Sequence, residues 1–390
     1  MKKVYLDNAA TTKVDEKVMK AMLPYFSEKY GNASSKHFFG QDARMALEES
    51  RGVIAKSIHA KPEEIFFTGS GTESNNWVIK GIGAESILSG KKHIITTKIE
   101  HDCVLNSCKW MEKHGFEVTY LDVDEEGFVD PEDVRNAIKD DTILVSVIHG
   151  NNEIGTIQNI GAIGKICGEK GVYFHIDACQ SYTKVPIDVR KQNLDLVTLN
   201  AHKINGPKGV GVLYVRRGTK IGVLIHGGNQ ESGMRSGTEN IAGIVGFAKA
   251  VNISSYKNVA KMTKLRDRLI DDILKIPHSR LNGPRGDKRL CNNLNFSFTA
   301  IDGEAIGAYL DVNGICSSNG SACSSHKLET SHVLQAIGVD PMDANGSIRL
   351  SLDKNNSEEE VDYVVKNLTK IVLKLRKMSP FKLKDGKENN

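Results

Sequence analysis

Asp177 closes an apolar run, Phe174-His175-Ile176-Asp177-Ala178, and Lys203 lies 26 residues further on in Asn200-Ala201-His202-Lys203, directly after a second apolar run. If both runs are strands of an open α/β sheet, both side chains stand beyond carboxyl ends, where such sheets bind ligands. A carboxylate there can keep a pyridinium nitrogen protonated, which makes the ring a better electron sink. A lysine beside it can form a Schiff base with the ring's aldehyde. Taken alone, the pair reads more readily as a helix-capping aspartate and a solvated lysine. Other residues share the same setting. Thr68-Gly69-Ser70-Gly71-Thr72-Glu73-Ser74 joins a third apolar run to a helical stretch. Its glycines let main-chain amides approach an anion, and the helix start adds a favourable dipole. The Gly-Lys-Ser/Thr ending of a P-loop is missing. His101 follows the run His93 to Thr97 and is placed to lie over a ring as a flat partner and proton carrier. Asn152, in Asn151-Asn152-Glu153-Ile154-Gly155, follows one more run.

The elements that must position these residues can be read from periodicity. Glu64 to Thr68, His93 to Thr97, Glu117 to Leu121, Ile143 to Ile148, Val172 to Ile176, Leu194 to Leu199 and Gly211 to Val215 are predicted strands. Helical stretches separate most of them, and Val14 to Ser27 and Arg44 to Ile58 read as helices before them. Alternation of this kind implies a mostly parallel sheet covered on both faces. After residue 258 the pattern changes to a charged helix (Lys261 to Leu274), a strand (Leu294 to Phe298) and a helix from Gly303. A Gly/Ser-rich loop (Ser317 to Ser325), a strand (Ser347 to Leu352) and a last helix (Glu358 to Arg376) follow. We therefore expect a large α/β domain over 14–258. A smaller α+β domain is expected from 1–13 and 259–380, and a disordered polar tail over 381–390.

Composition narrows the function classes. Of 390 residues, 39% are hydrophobic and 26% charged, an ordinary composition with enough chain for a sizeable core. Lys plus Arg (52) nearly balance Asp plus Glu (48), so charge gives no reason to expect nucleic-acid binding. The start, Met1-Lys2-Lys3-Val4-Tyr5-Leu6-Asp7, has too few apolar residues for a signal-peptide core, and no run approaches the roughly 20 residues of a membrane span. The expected location is the cytoplasm. Seven cysteines, at 103, 108, 167, 179, 291, 316 and 323, contain no C-x-x-C pair. We assign no disulfide framework and no metal ligands. Six of them read as small hydrophobes in apolar segments. Cys323, in Gly320-Ser321-Ala322-Cys323-Ser324-Ser325, has no bulky apolar neighbour and stands apart.

Read together, these segments resemble the NifS/IscS-type cysteine desulfurases among the fold-type-I pyridoxal-phosphate enzymes. The resemblance covers nearly the whole chain. It rests on Tyr5-Leu6-Asp7-Asn8-Ala9-Ala10-Thr11-Thr12, Gly31-Asn32-Ala33-Ser34-Ser35, the Asn151 to Gly155 segment and His202-Lys203-Ile204-Asn205-Gly206-Pro207-Lys208-Gly209. It continues through Arg235-Ser236-Gly237-Thr238, Gly320-Ser321-Ala322-Cys323 and Ser347-Ile348-Arg349-Leu350-Ser351. It implies the fold-type-I architecture, with Lys203 as the Schiff-base lysine and Asp177 as the pyridinium partner. Gly71, Thr72, His202 and Asn200 would contact the phosphate, with Thr238 contributed across a homodimer interface. Asn152 and Gln180 would contact the ring and its 3′-oxygen, and His101 would stack on it. Arg349, with Asn152 nearby, would hold the substrate carboxylate, which suits a planar fork that makes two parallel charge-assisted bonds.

The implied reaction converts L-cysteine to L-alanine. Lys203, as a free amine, takes the α-proton. Cys323, as thiolate, takes the sulfur as a persulfide and passes it to an acceptor protein, an iron-sulfur scaffold or a tRNA-thiolation enzyme. No direct nucleic-acid or membrane partner is implied. Asn200 and Asn319 stand where relatives carry small hydroxyl residues, and Asp353-Lys354 stands where a Gly-Arg pair is common. A selenocysteine lyase or a related aminotransferase is the alternative within the fold, although an aminotransferase has no use for the loop cysteine. A non-catalytic scaffold would have no need of Lys203, Asp177, Cys323 and Arg349 together.

Overall fold

The computed structural model describes residues 2–87, 90–318 and 330–381. The strands in chain order are β1 (Val4–Tyr5), β2 (Ile65–Thr68), β3 (His93–Thr97), β4 (Glu117–Leu121), β5 (Thr142–Ile148) and β6 (Tyr173–Asp177). They continue as β7 (Leu196–Asn200), β8 (Gly211–Val215), β9 (Ser279–Leu281), β10 (Asn293–Phe298), β11 (Ile315–Cys316) and β12 (Ser347–Ser351). A seven-stranded sheet runs β2-β8-β7-β6-β5-β3-β4. Only β8 opposes its neighbours β2 and β7; the other pairings are parallel.

The parallel arrangement follows from burial on both faces. β5, β7 and β8 are buried along their whole length, as strands covered on both sides must be. Alternate residues face opposite layers. Val145, Val147, Val197, Leu199, Val212 and Tyr214 pack with Leu47, Ile54, Ile163, Ile244 and Phe247 from three helices, Phe38–Ser57, Ile160–Lys170 and Ile241–Ile253. Leu144, Leu196 and Leu213 face the other way, onto Trp77, Ile82, Val104 and Met111 of helices Gly71–Ser86 and Asp102–Glu112.

A second, antiparallel sheet runs β12-β10-β9, with Asn295 opposite Arg349. Helices Tyr256–Ile273, Gly303–Val312 and Glu358–Met378 cover it through Leu269, Ile273, Ile306, Leu310, Leu368 and Val372. The first strand belongs spatially here, because β1 pairs in parallel with β11 and Val4 and Leu6 join this core. No described helix is long and apolar enough to cross a membrane.

The seven predicted strands of the large sheet stand within two residues of their expected bounds. The helix expected over Val14 to Ser27 is two, Glu16–Met22 and Pro24–Ser27, because Pro24 starts a new helix and supplies no N–H to continue the first. Helix Phe38–Ser57 begins six residues before the expected Arg44, where His37 caps it. The strands β1, β9 and β11 have three residues or fewer, too short for periodicity to register. The tail 382–390 lies outside the described residues.

Candidate active site

β6 and β7 end side by side, with Asp177 and Thr198 paired. Asp177 is 4% exposed. Its Oδ1 accepts from the Cys179 main-chain N–H at 2.9 Å and its Oδ2 from the Asn75 amide at 2.7 Å. Burial alone would raise its pKa. The Cys179 N–H, the nearby His101 and the Asn75 amide outweigh that and hold the carboxyl below the ordinary carboxylate range. A deeply buried acid that stays ionised is what a protonated pyridine nitrogen requires of its partner.

Lys203 sits half-buried in the turn after β7, and this turn is gripped through its main chain. The Thr12 N–H and Oγ1 both donate to the His202 carbonyl, at 2.9 and 2.8 Å. Asn205 N donates back to Thr12 Oγ1 at 2.8 Å. Asn205 has φ 63°, a left-handed turn conformation that Asn tolerates. The half-buried Lys184 ammonium donates to the carbonyls of Gln180 (2.9 Å) and Lys203 (3.2 Å), and desolvation depresses its pKa to about 8.

The Gly/Ser turn after β2 forms the start of helix Gly71–Ser86, capped by Ser70 through the Glu73 N–H. An added Cβ at Gly71 would lie 2.5 Å from Cys179 Sγ and 3.6 Å from Asn200 Nδ2. Glycine is therefore required for the helix start to approach the ends of β6 and β7. Asn200 is 2% exposed, and its Oδ1 is buried without a partner among the described residues. The His202 ring meets Thr11 Oγ1 at 3.2 Å. Burial, then Lys203, Lys208 and Lys184, pushes its pKa down to about 4, so it is neutral. Gln180 is fixed by donation to the Ala9 carbonyl. His101 caps helix Asp102–Glu112, with Nδ1 accepting from the Cys103 N–H at 3.2 Å. Helix starts, a neutral imidazole, amides and an acid thus converge beyond four strands of one sheet, β2, β3, β6 and β7.

Arg349 reaches the same region from β12. Its Nη1 donates to the Asn152 carbonyl at 3.0 Å, and its Nη2 pairs with Asp7 Oδ1 at 3.1 Å. Its Nε is buried without a partner among the described residues. Asn152 itself lies in a turn closed by Gly155 (φ 78°), where a Cβ would meet Asn293 Oδ1 at 2.7 Å. Thr238 stands exposed beyond Arg235, which bridges to Glu73 near the start of helix Gly71–Ser86. Cys323, Asn319 and most of the Gly/Ser-rich loop lie outside the described residues. The loop's described flanks are anchored near the site. Ser318 exchanges main-chain hydrogen bonds with Arg349, Ser331 Oγ donates to the buried Glu153, and His332 Nε2 meets the Glu100 carbonyl.

The site contains residues that sequence reasoning passed over. Asn75 lies one helical turn beyond Thr72, a spacing that could have flagged it. Asp7, Thr12 and Lys184 carried no such signal. Cys103 and Cys179, read as small hydrophobes, stand against Asp177 and His101. Burial raises both thiols, Cys103 to about 12, so neither is a thiolate at neutral pH.

The residues fit pyridoxal phosphate. A glycine-cleared helix start faces an Asn amide with an orphaned oxygen, an ionised buried acid stands at a neighbouring strand end, and a lysine stands in the turn that follows β7. The aminotransferase class-V family profile matches residues 4–364. The chain is 51% identical over 385 residues to the cysteine desulfurase IscS of Dictyoglomus turgidum, covering 98% of this chain and 97% of that one. Among solved structures, a NifS-like protein superposes with a TM-score of 0.90 at 41% identity, over 96% of this chain and all of that one. The structure of SspA in complex with cysteine superposes at 0.82 with 37% identity, over 91% of this chain and all of that one. Site geometry, fold and full-length similarity agree that the chain belongs to the class-V aminotransferase family and, within it, to the cysteine desulfurases.

Proposed function

We propose that the protein binds pyridoxal phosphate on Lys203 and uses it to take sulfur from L-cysteine, leaving alanine and a persulfide on Cys323. The observation that carries this reading is the pairing at the ends of β6 and β7: an ionised buried Asp177 beside a lysine whose turn is clamped through its main chain. Gly71, Thr72, Asn200 and His202 would hold the phosphate, and Gln180 and Asn152 would contact the ring. Pyridoxal phosphate, when bound, supplies the electron sink that stabilises negative charge at the substrate's α-carbon. Lys203 Nζ holds and moves the α-proton. Arg349 binds the substrate carboxylate, and Asp7 and Asn152 orient its guanidinium. Cys323 accepts the sulfur, and its loop is carried on flanks tied to Arg349 and Glu153. That the similar SspA structure holds cysteine supports the choice of substrate.

The reading extends to assembly. Met19, Leu23, Phe26, Tyr30, Phe38 and Met45 are exposed apolar side chains over residues 19–45, more than a solvated surface normally presents together. They support a homodimer in which the exposed Thr238 serves the partner's phosphate site. The two cores support a division into a large domain (14–258) and a small one (1–13 and 259–380). The acceptor is a sulfur-carrier protein, an iron-sulfur scaffold or a tRNA-thiolation enzyme, and the setting is the cytoplasm.

The test is to load the protein with pyridoxal phosphate, reduce one portion with borohydride, and incubate another with cysteine. Peptide mapping should place the cofactor on Lys203 and the added sulfur on Cys323. Cofactor on another lysine, or sulfur carried on Cys103, Cys108 or Cys316, would overturn the assignment.

A further inference from the structure

We propose that Asn75 and Cys103 are positioning residues that fix His101 as its neutral Nε2–H tautomer, joined to Asp177 through one chain of side chains. The links run in order. Asn75 Nδ2 donates to Asp177 Oδ2 at 2.7 Å and to Cys103 Sγ at 3.2 Å. Cys103 Sγ lies 3.1 Å from His101 Nδ1, and the Cys103 main-chain N–H lies 3.2 Å from the same nitrogen. A main-chain N–H can only donate, so Nδ1 must be the acceptor and the ring proton must sit on Nε2. The thiol is a donor here as well. Burial, with Asp177 close by, pushes its pKa to about 12, so it keeps its hydrogen, while its sulfur accepts from Asn75 and has the Thr72 side chain beside it. Nδ1 thus closes the start of helix Asp102–Glu112 and receives both hydrogens of Cys103.

Protonating Nδ1 would remove the acceptor from the Cys103 N–H and place a cation at the positive end of the helix dipole. Four other charged or titratable groups face the ring: Asp177 from β6, Lys203 from the turn after β7, Asp102 on its own helix and His332 from helix His332–Ala336. Burial first, opposed by Asp177 and aided by Lys203, leaves the imidazole harder to protonate than an ordinary histidine. The consequence for the reaction, which rests on the cofactor site described above, changes the role expected from sequence. His101 is a flat neutral partner whose one ring N–H, on Nε2, is left to donate. It has no free lone pair with which to carry a proton, so proton movement at the α-carbon falls to Lys203 alone.

The test uses the full-length protein labelled with nitrogen-15 in histidine and first freed of cofactor, with His101 assigned from the signals lost in His101→Gln. The wild type should show a protonated Nε2, an acceptor Nδ1, and a titration midpoint below that of free histidine. Cys103→Ala should raise the midpoint by roughly 0.5–1 pH unit, the size of one neutral hydrogen bond. Cys103→Ser, which keeps a donor, should restore it. Asn75→Ala should shift the midpoint the same way, and adding it to Cys103→Ala should produce little more, as for residues acting in series. A proton on Nδ1 in the wild type overturns the proposal. So does an unmoved midpoint in Cys103→Ala, no rescue by Ser, or full additivity of the two Ala variants. Adding pyridoxal phosphate to the same sample tests the cofactor site separately. If the His101 signals stay in place, that site is misassigned while the tautomer result stands.

Discussion

Lys203 is held by its main chain, whereas Arg349 is held by its side chain. Thr12 and Lys184 hydrogen-bond to carbonyls of the lysine turn, and Asn205 ties back to Thr12, so the clamp does not use the Lys203 amine. The Arg349 guanidinium, in contrast, is itself the link between Asp7 at the start of the chain and Asn152 beyond β5. A main-chain clamp leaves the side chain free for covalent chemistry. A side-chain clamp makes binding and structure depend on the same atoms. The two residues should therefore fail in different ways when substituted.

The largest effect is expected at Lys203. Lys203→Ala keeps every main-chain bond of its turn, so its melting temperature should stay within a few degrees of wild type, while alanine release falls by roughly a thousandfold or more. A large drop in melting temperature would show that the amine, not the main chain, holds the turn.

Arg349→Ala should lose on both counts. Removing a charge-assisted bond to the substrate carboxylate costs roughly 1.5–3 kcal/mol, which raises the cysteine KM by about ten- to a hundredfold. The lost Asp7 pair, partly exposed on the carboxylate side, should lower stability by about 1–2 kcal/mol in a urea titration. Asp7→Asn keeps the cation and should raise KM only a few-fold. Equal KM values for the two variants would mean that Arg349 acts on Asp7 and not on substrate.

Acid should attack the large sheet from inside. His149 and His175 are fully buried beside β5 and β6 and are held to about pH 4 by desolvation. Each meets hydroxyls, His149 that of Ser181 and His175 those of Ser146 and Thr198. Their folded pKa lies below the unfolded value near 6.5. Their contribution is therefore complete above that pH and is lost as pH falls toward 4, by about 3 kcal/mol each at the limit. Urea titrations between pH 7 and 4.5 should show the decline, and His175→Gln should flatten it. An unchanged slope in that variant would locate the acid sensitivity elsewhere.

The smallest effect is expected at Asn200. Its amide faces Gly71 at the helix start, and a Ser hydroxyl offers the same single donation. Asn200→Ser should keep the cofactor and change activity by less than a few-fold, as read from absorbance and alanine release. Loss of the cofactor would give the orphaned Oδ1 a specific role.

Much of this was legible in the chain because it depends on local rules. The strands before Asp177, Lys203 and His101 are five residues each; Asp177 ends its own, while Lys203 stands three residues and His101 four residues beyond theirs. An anion turn announces itself by glycines after a strand. Helix bounds were less legible. The start of Phe38–Ser57 carries no ordinary signal because its cap is His37, an unusual capping residue, and Pro24 divides a stretch whose apolar spacing runs straight through it.

The chain itself names the candidate groups: Asp177 and Lys203 beyond apolar runs, a glycine-rich turn before a helix and, through the family resemblance, Arg349. How they are tuned depends on contacts between distant segments. Asp7 meets Arg349 across 342 residues, Thr12 clamps the His202 carbonyl across 190, and Asn75 reaches Asp177 across 102. No periodicity encodes such contacts, because they are set by where strand ends and helix starts meet once both faces of the sheet are covered. Whether a buried acid is ionised, or which nitrogen of a histidine holds its proton, depends on the few donors within hydrogen-bond reach in the fold, and distance along the chain says nothing of them.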